Sequence, residues 1–282
     1  MDLDEVTNLL GNPKCEIECR MIQASDGFSL KVYTFTPSKM TRKDPVIFVA
    51  GWASVMDGWA PLLSEWVQER VIHYVETREK KTAKPSKPIR AHDFTMSKHV
   101  ADLQLVAENL KCGNDVLWFG SSLGATAILE GFKGEKIQGN GAFLVAPNAS
   151  FKFPGWMVPL TMAPWWCYAP LIRIGLIYLK WRLKEPAQYI RYKRTLTQAH
   201  LLRLKRSVQA NRKYNLEMEL GNIMTPVAIC VAESDTLHEG NAAHEIAENL
   251  GNGMIISVPS NQYAHEADLI PDINNWQKMS YD

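Results

Sequence analysis

The sequence has 282 residues, 46% hydrophobic and 22% charged, a composition that excludes a disordered chain, a collagen-like repeat and a disulfide-stapled miniprotein. Thirty-one Lys and Arg against thirty Asp and Glu leave a formal net charge of +1, which argues against a globally basic nucleic-acid binder, so no nucleic-acid partner is expected. Cysteines at 15, 19, 112, 167 and 230 are odd in number and share no repeated short spacing, the pattern of free thiols in a reducing compartment. The opening M-D-L-D-E lacks the apolar run of a secretory leader, and the expected location is the cytoplasm.

In chain order, strand patterns fall first at 16–23 and 29–36, joined by A-S-D-G-F, whose Asp26-Gly27 step signals a hairpin. The apolar run P-V-I-F-V-A at 45–50 predicts a strand covered on both faces, and 71–76, 116–120, 141–145, 227–232 and 254–258 read the same way. Helical periodicity lies between them at 59–69, 95–110, 123–132, 240–250 and 266–278. Alternating strands and helices predict an α/β fold: a mostly parallel sheet with helices on both faces and an antiparallel edge from the opening hairpin.

About 80 residues between the strands ending near Ala146 and starting at Val227 carry no strand pattern, too many for a simple crossover. We read 148–221 as an inserted helical cap and 1–147 with 222–282 as the core. Within the insertion, 153–172 carries no charge and holds Trp156, Trp165 and Trp166. Its four prolines argue against one continuous membrane-spanning helix. The stretch 173–213 holds twelve Lys or Arg and one acid, a net charge of +11, against −10 for the rest of the chain. Leu201, Leu204 and Val208 recur there at helical spacing. An apolar Trp-rich lip beside a cationic helix is the composition of an interfacial surface, with Arg203, Lys205 and Arg206 supplying charge toward an anionic membrane. The alternative is a cap whose apolar face covers a site and whose charges are solvated.

The segment V-L-W-F-G-S-S-L-G-A-T-A at 116–127 carries the chemistry. It is a G-x-S-x-G pattern between a strand and a helix, centred on Ser122. A sharp strained turn lifts the hydroxyl from the carboxyl edge of the sheet. Gly120 and Gly124 permit close approach of strand and helix, and the helix N-terminus faces developing negative charge. The N–H of Leu123 is an oxyanion donor by position, and the N–H of Trp52, in the loop G-W-A-S after the strand at 45–50, is the second. A serine hydroxyl needs a base and an orienting acid. E-S-D-T-L-H after the strand at 227–232 offers Asp235, with Glu233 in reserve. S-N-Q-Y-A-H-E-A after the strand at 254–258 offers His265. No metal-ligand spacing and no phosphate-binding glycine loop are present, so no cofactor and no metal are expected.

These motifs, with the D-G hairpin and the A-G-W loop, resemble the α/β-hydrolase superfamily over nearly the whole chain. The capped organisation looks like that of monoacylglycerol-lipase-like and related lipase or esterase members. The resemblance implies an eight-stranded sheet, a Ser122–Asp235–His265 triad and a lid between the sixth and seventh strands. Two motifs depart from the pattern. Ala50 stands where many members carry His, and E-T-R-E-K-K keeps Arg78 of D-x-R-G-x-G but loses the glycines. The expected function is serine-dependent hydrolysis of a lipophilic acyl ester, with Trp156, Trp165 and Trp166 as substrate contacts. Thioester, lactone or amide cleavage, acyl transfer and carbon–carbon bond cleavage are alternatives on the same triad, and a non-catalytic binding protein is an alternative of another class.

Overall fold

The computed structural model describes residues 1–151, 162–183, 185–232 and 240–281. The chain opens with α1 (Leu3–Leu9), then the hairpin β1 (Cys15–Gln23) and β2 (Phe28–Pro37). The N-terminus, read from sequence only for its lack of an apolar leader, starts α1. Asp2 accepts from the Glu5 N–H at 2.8 Å and Glu5 accepts from the Asp2 N–H at 2.9 Å, a reciprocal capping box. β3 (Val46–Val49), α2 (Ala60–Trp66), β4 (Ile72–Glu76), the two-residue β5 (Lys84–Pro85) and α3 (Met96–Leu110) follow. Then come β6 (Leu117–Ser121), α4 (Leu123–Lys133) and β7 (Gly141–Val145). Three helices, α5 (Tyr168–Arg182), α6 (Pro186–Gln198) and α7 (Leu201–Asn211), precede β8 (Val227–Ala232), α8 (Gly240–Asn249), β9 (Gly253–Val258) and α9 (Leu269–Tyr281).

The strands form one sheet in the order β1-β2-β4-β3-β6-β7-β8-β9, with β5 paired to β2. From β4 to β9 every neighbouring pair is parallel, and β2 is antiparallel to both β1 and β4. The eight strands on this path are those read from the sequence. β5 was not anticipated, because two residues are too few to make a pattern.

Side-chain alternation divides the core. Ile47, Val49 and Trp118 face α3, α4 and α8 on one side of the sheet. Phe48 and Phe119 face α1, α2 and α9 on the other. On that second face Phe48 stacks on Phe119 at 4.5 Å between ring centroids and meets Trp59 edge-on at 5.1 Å. Such pairs add to the burial energy of large rings and hold the central strands in one arrangement.

Arg78, kept where the neighbouring glycines are lost, is buried. It forms a forked pair with Asp102, donates to Asp26 at 3.0 Å and to the Asp93 carbonyl at 2.7 Å, and lies over the Phe28 ring. Burial alone would raise the Asp26 carboxyl, but the charges and hydrogen bonds of Arg78 and Lys98 outweigh it and hold it at about 2.

The helices between β7 and β8 correct one expectation about charge. Arg203, assigned above to a lipid-facing cationic surface, is only 6% exposed. Its Nη1 donates to the Lys80 carbonyl, so the guanidinium points into the core. The buried face of α7 comprises Arg203, Leu204, Ser207 and Asn211, not the stripe of Leu201, Leu204 and Val208. The physical reason is hydrogen bonding: Asn211 donates to the Phe94 carbonyl at 2.8 Å, and Ser207 accepts from the Trp52 indole at 3.0 Å. Among the described residues, no helix is long and apolar enough to cross a membrane.

Candidate active site

The parallel strands place their carboxyl ends along one edge, and the loops leaving β3, β6, β7 and β9 meet there. Three residues on these loops occupy the left-handed region of backbone space without being glycine: Ala53 (φ 50°), Ser122 (φ 49°) and Ala146 (φ 46°). They follow β3, β6 and β7, three neighbouring strands. Strain of this kind persists only where surrounding structure imposes it, and it concentrates at functional sites.

Ser122 sits between the end of β6 and the first residue of α4, as the G-x-S-x-G pattern requires. Its backbone N–H donates to the Val145 carbonyl at 2.9 Å, which pins the turn to the neighbouring strand. The glycines are needed for space. A Cβ on Gly124 would overlap the Val49 carbonyl, and one on Gly120 would lie 2.8 Å from the Ala125 backbone nitrogen. Neither clash can be relieved by a side-chain rotation. The backbone N–H groups of Trp52 and Leu123 have no acceptor among the described residues, and both residues line the same cavity as Ser122.

That cavity measures about 550 Å³. His265 lines it, on a short 3₁₀ turn after β9. The His265 Nδ1 lies 2.8 Å from the Asn261 carbonyl. A carbonyl only accepts, so Nδ1 carries a proton and donates it to Asn261, which fixes the plane of the ring. The ring stacks on Trp59 with centroids 4.0 Å apart. Trp59 is itself locked in the aromatic cluster of Phe48 and Phe119, and its indole donates to Ser54 at 3.1 Å. Burial lowers three histidines elsewhere in the fold: His73, bonded to Thr34, is pushed down to about 4, and His99 and His200 are also lowered.

The Ser122 hydroxyl accepts a hydrogen bond from Asn148, whose Nδ2 lies 2.8 Å from Oγ, and does not donate one to His265 in this structure. Catalytic hydrogen bonds are often open before substrate arrives. Asp235, with Glu233 and His238, falls at 233–239, outside the described residues. Trp156 also lies outside them, as does the side chain of Trp165. Trp166 is 64% exposed and is not part of the cavity wall. Sequence reading missed Asn148, Trp59 and Asn261. An Asn in P-N-A-S carries no catalytic spacing, and stacking between residues 59 and 265 exists only once the sheet is assembled.

Comparison with solved structures gives full-length matches at low identity. An esterase from Exiguobacterium antarcticum superposes with a TM-score of 0.75 at 16% identity, covering 93% of this chain and all of the other. A thermophilic esterase from Thermogutta terrifontis gives 0.72 at 14% identity, covering 94% and 100%. This chain has the α/β-hydrolase fold. A third neighbour, Est816, described as an N-acyl homoserine lactone degrading enzyme, gives 0.71 at 13% identity, covering 92% and 99%. No protein-family model and no curated protein matches the sequence itself.

Proposed function

We propose that the protein is a serine hydrolase that cleaves carboxylic esters through an acyl-enzyme. The observation that carries this reading is the strained Ser122 elbow opening into a cavity that His265 also lines. In the proposed reaction Ser122 Oγ attacks the ester carbonyl while His265 Nε2 takes its proton. The N–H groups of Trp52 and Leu123 bind the oxyanion, the alcohol departs with the proton from His265, and water releases the acyl group by the reverse sequence. Asp235 is the proposed acid, on the sequence order Ser, Asp, His.

The esterases among the structural neighbours support ester hydrolysis in preference to the other chemistries of the triad. The lactone-degrading neighbour keeps cyclic esters within the same class. We assign 148–221 as the cap over this site, supported by α7 and α6 residues in the cavity wall. The uncharged stretch 153–172 supports a lipophilic acyl group, and Phe151, Leu216 and Met218 add apolar wall. Comparing wild type with Ser122→Ala on p-nitrophenyl esters of increasing chain length tests both claims. Loss of at least 1,000-fold in kcat/KM is expected. Retained turnover in the variant removes the mechanism, and a preference for acetate over longer chains removes the lipophilic acyl group.

A second reading concerns where the protein works. On α5, Ile174, Ile177, Tyr178 and Trp181 lie on one exposed face, with Arg173, Lys180 and Arg182 also exposed around it. We propose that this face, rather than Arg203, makes peripheral contact with anionic lipid. Sedimentation with phosphatidylserine vesicles at low salt is the test, and equal recovery with purely zwitterionic vesicles or with none rejects it.

A further inference from the structure

Asn148 follows β7 and is not part of the elbow, the oxyanion loop or the Ser, Asp, His order. Its backbone is held independently of its side chain. The Asn148 N–H donates to Thr126 Oγ1 at 3.0 Å, and the Thr126 hydroxyl lies 3.1 Å from both the Asn148 and the Ser122 carbonyls. Thr126 is fully buried in the first turn of α4. One buried threonine therefore clamps the two loops that carry Ser122 and Asn148. This leaves the Asn148 amide free to point at the serine, with Nδ2 2.8 Å from Oγ.

We infer that Asn148 is a catalytic residue that donates a hydrogen bond to the nucleophile oxygen itself, an inference that rests on Ser122 being the nucleophile. An amide nitrogen donates and cannot accept, so Ser122 Oγ is the acceptor in this bond. The hydroxyl proton is therefore not committed to Asn148 and remains available to His265. As that proton leaves for Nε2, Oγ gains negative charge while its new bond to the carbonyl carbon forms and the carbonyl electron pair moves to the oxyanion. A donor already aimed at Oγ stabilises the charge without reorganising. The same atom is the leaving group in deacylation, when the Oγ–carbon bond breaks and Oγ recovers its proton from His265. Asn148 thus serves both halves of the reaction. It differs in this from Trp52 and Leu123, whose N–H groups are assigned to the carbonyl oxygen.

The test uses the full-length protein and three variants: Asn148→Ala, Asn148→Asp and Ser122→Ala. The readouts are kcat/KM on p-nitrophenyl acetate, the second-order rate of fluorophosphonate labelling as a function of pH, and the thermal melt. Asn148→Ala should lower kcat/KM and the labelling rate together by about 100-fold, with the labelling profile displaced to higher pH. Asn148→Asp keeps the shape and the clamp but replaces the donor with an acceptor. It should be slower than Asn148→Ala at pH 8, because a carboxylate draws the serine proton away from His265. A packing role predicts the opposite order, with the near-isosteric Asp close to wild type. The proposal is overturned if the variants label and turn over within two-fold of wild type, or if Asn148→Asp outperforms Asn148→Ala. Should Asn148→Ala fail to melt cooperatively, Asn148→Asp against wild type decides alone. Undiminished turnover in Ser122→Ala would instead mean that the nucleophile is misassigned, a separate failure.

Discussion

α5 and α7 lie in the same inserted stretch and invert one another. α7 turns Arg203, Ser207 and Asn211 inward, Ser207 against Trp52 in the loop after β3 and the other two against the segment between β4 and α3. α5 turns Ile177 and Trp181 outward, at 72% and 88% exposure. A helix buries the face for which its neighbours offer partners, and around α7 backbone carbonyls and an indole N–H stand beside the apolar Ala53 and Tyr168 that cover Leu204. Charge alone would have put Arg203 in solvent and Trp181 inside. What decides is that edge loops of the sheet present unpaired polar groups, and a buried polar group needs a partner.

The contact also reaches the strained loop after β3. Glu79 is buried and accepts from the Ala53 N–H at 3.1 Å and from the Thr77 hydroxyl at 2.7 Å. Trp52, beside Ala53, is tied to α7 through Ser207. Glu79 stands at one of the positions where glycine was lost, so the same departure that weakened the family motif supplies a carboxylate that holds the strained loop.

The largest effect in this comparison should come from Arg203→Ala. It removes the donor to the Lys80 carbonyl and leaves buried Glu79 with less positive charge nearby. A loss of about 2–3 kcal/mol is expected, read by urea denaturation, together with a fall in kcat as the Trp52 loop loosens. An unchanged midpoint would mean that α7 is not held by its polar face.

The next effect is a dependence of stability on pH that has its source in the sheet and not in the helices. His73 on β4 is buried and depressed from 6.5 to about 4. A group with a lowered folded pKa favours the unfolded state once protons compete. Stability should therefore be intact above pH 6.5, fall as pH drops, and lose this contribution fully near pH 4. His73→Gln should flatten that slope while leaving the Arg203→Ala cost unchanged, because the two sites are independent.

The smallest effect should come from the other helix. Ile177→Ser with Trp181→Ser removes two large exposed side chains and should shift the unfolding free energy by less than about 0.5 kcal/mol. A loss of several kcal/mol would mean that this face is covered in solution.

Most of the frame was legible. The strands at 141–145 and 227–232 were read to the residue and the helix at 95–110 to within one, because an apolar run bounded by turns has few other uses. The elbow was legible for a stronger reason, since Gly120 and Gly124 are demanded by backbone approach and so leave a spacing in the sequence. The insertion was legible only as an absence of strands. Its charge pattern misled, because +11 over a short stretch records composition but not which side chains find partners.

The sequence by itself determined the α/β layering, the turn at Ser122 and the order in which the proposed serine, acid and histidine follow one another. All of these depend on local period, local turn chemistry or chain direction. Only the tertiary structure decided that Asn148 reaches the serine oxygen, that Trp59 carries the His265 ring and that Arg203 is buried. Each is a contact between residues 26 to 206 positions apart or the loss of solvent around a charge. Neither leaves a periodic trace along the chain, since both arise only when separate segments exclude water from one another.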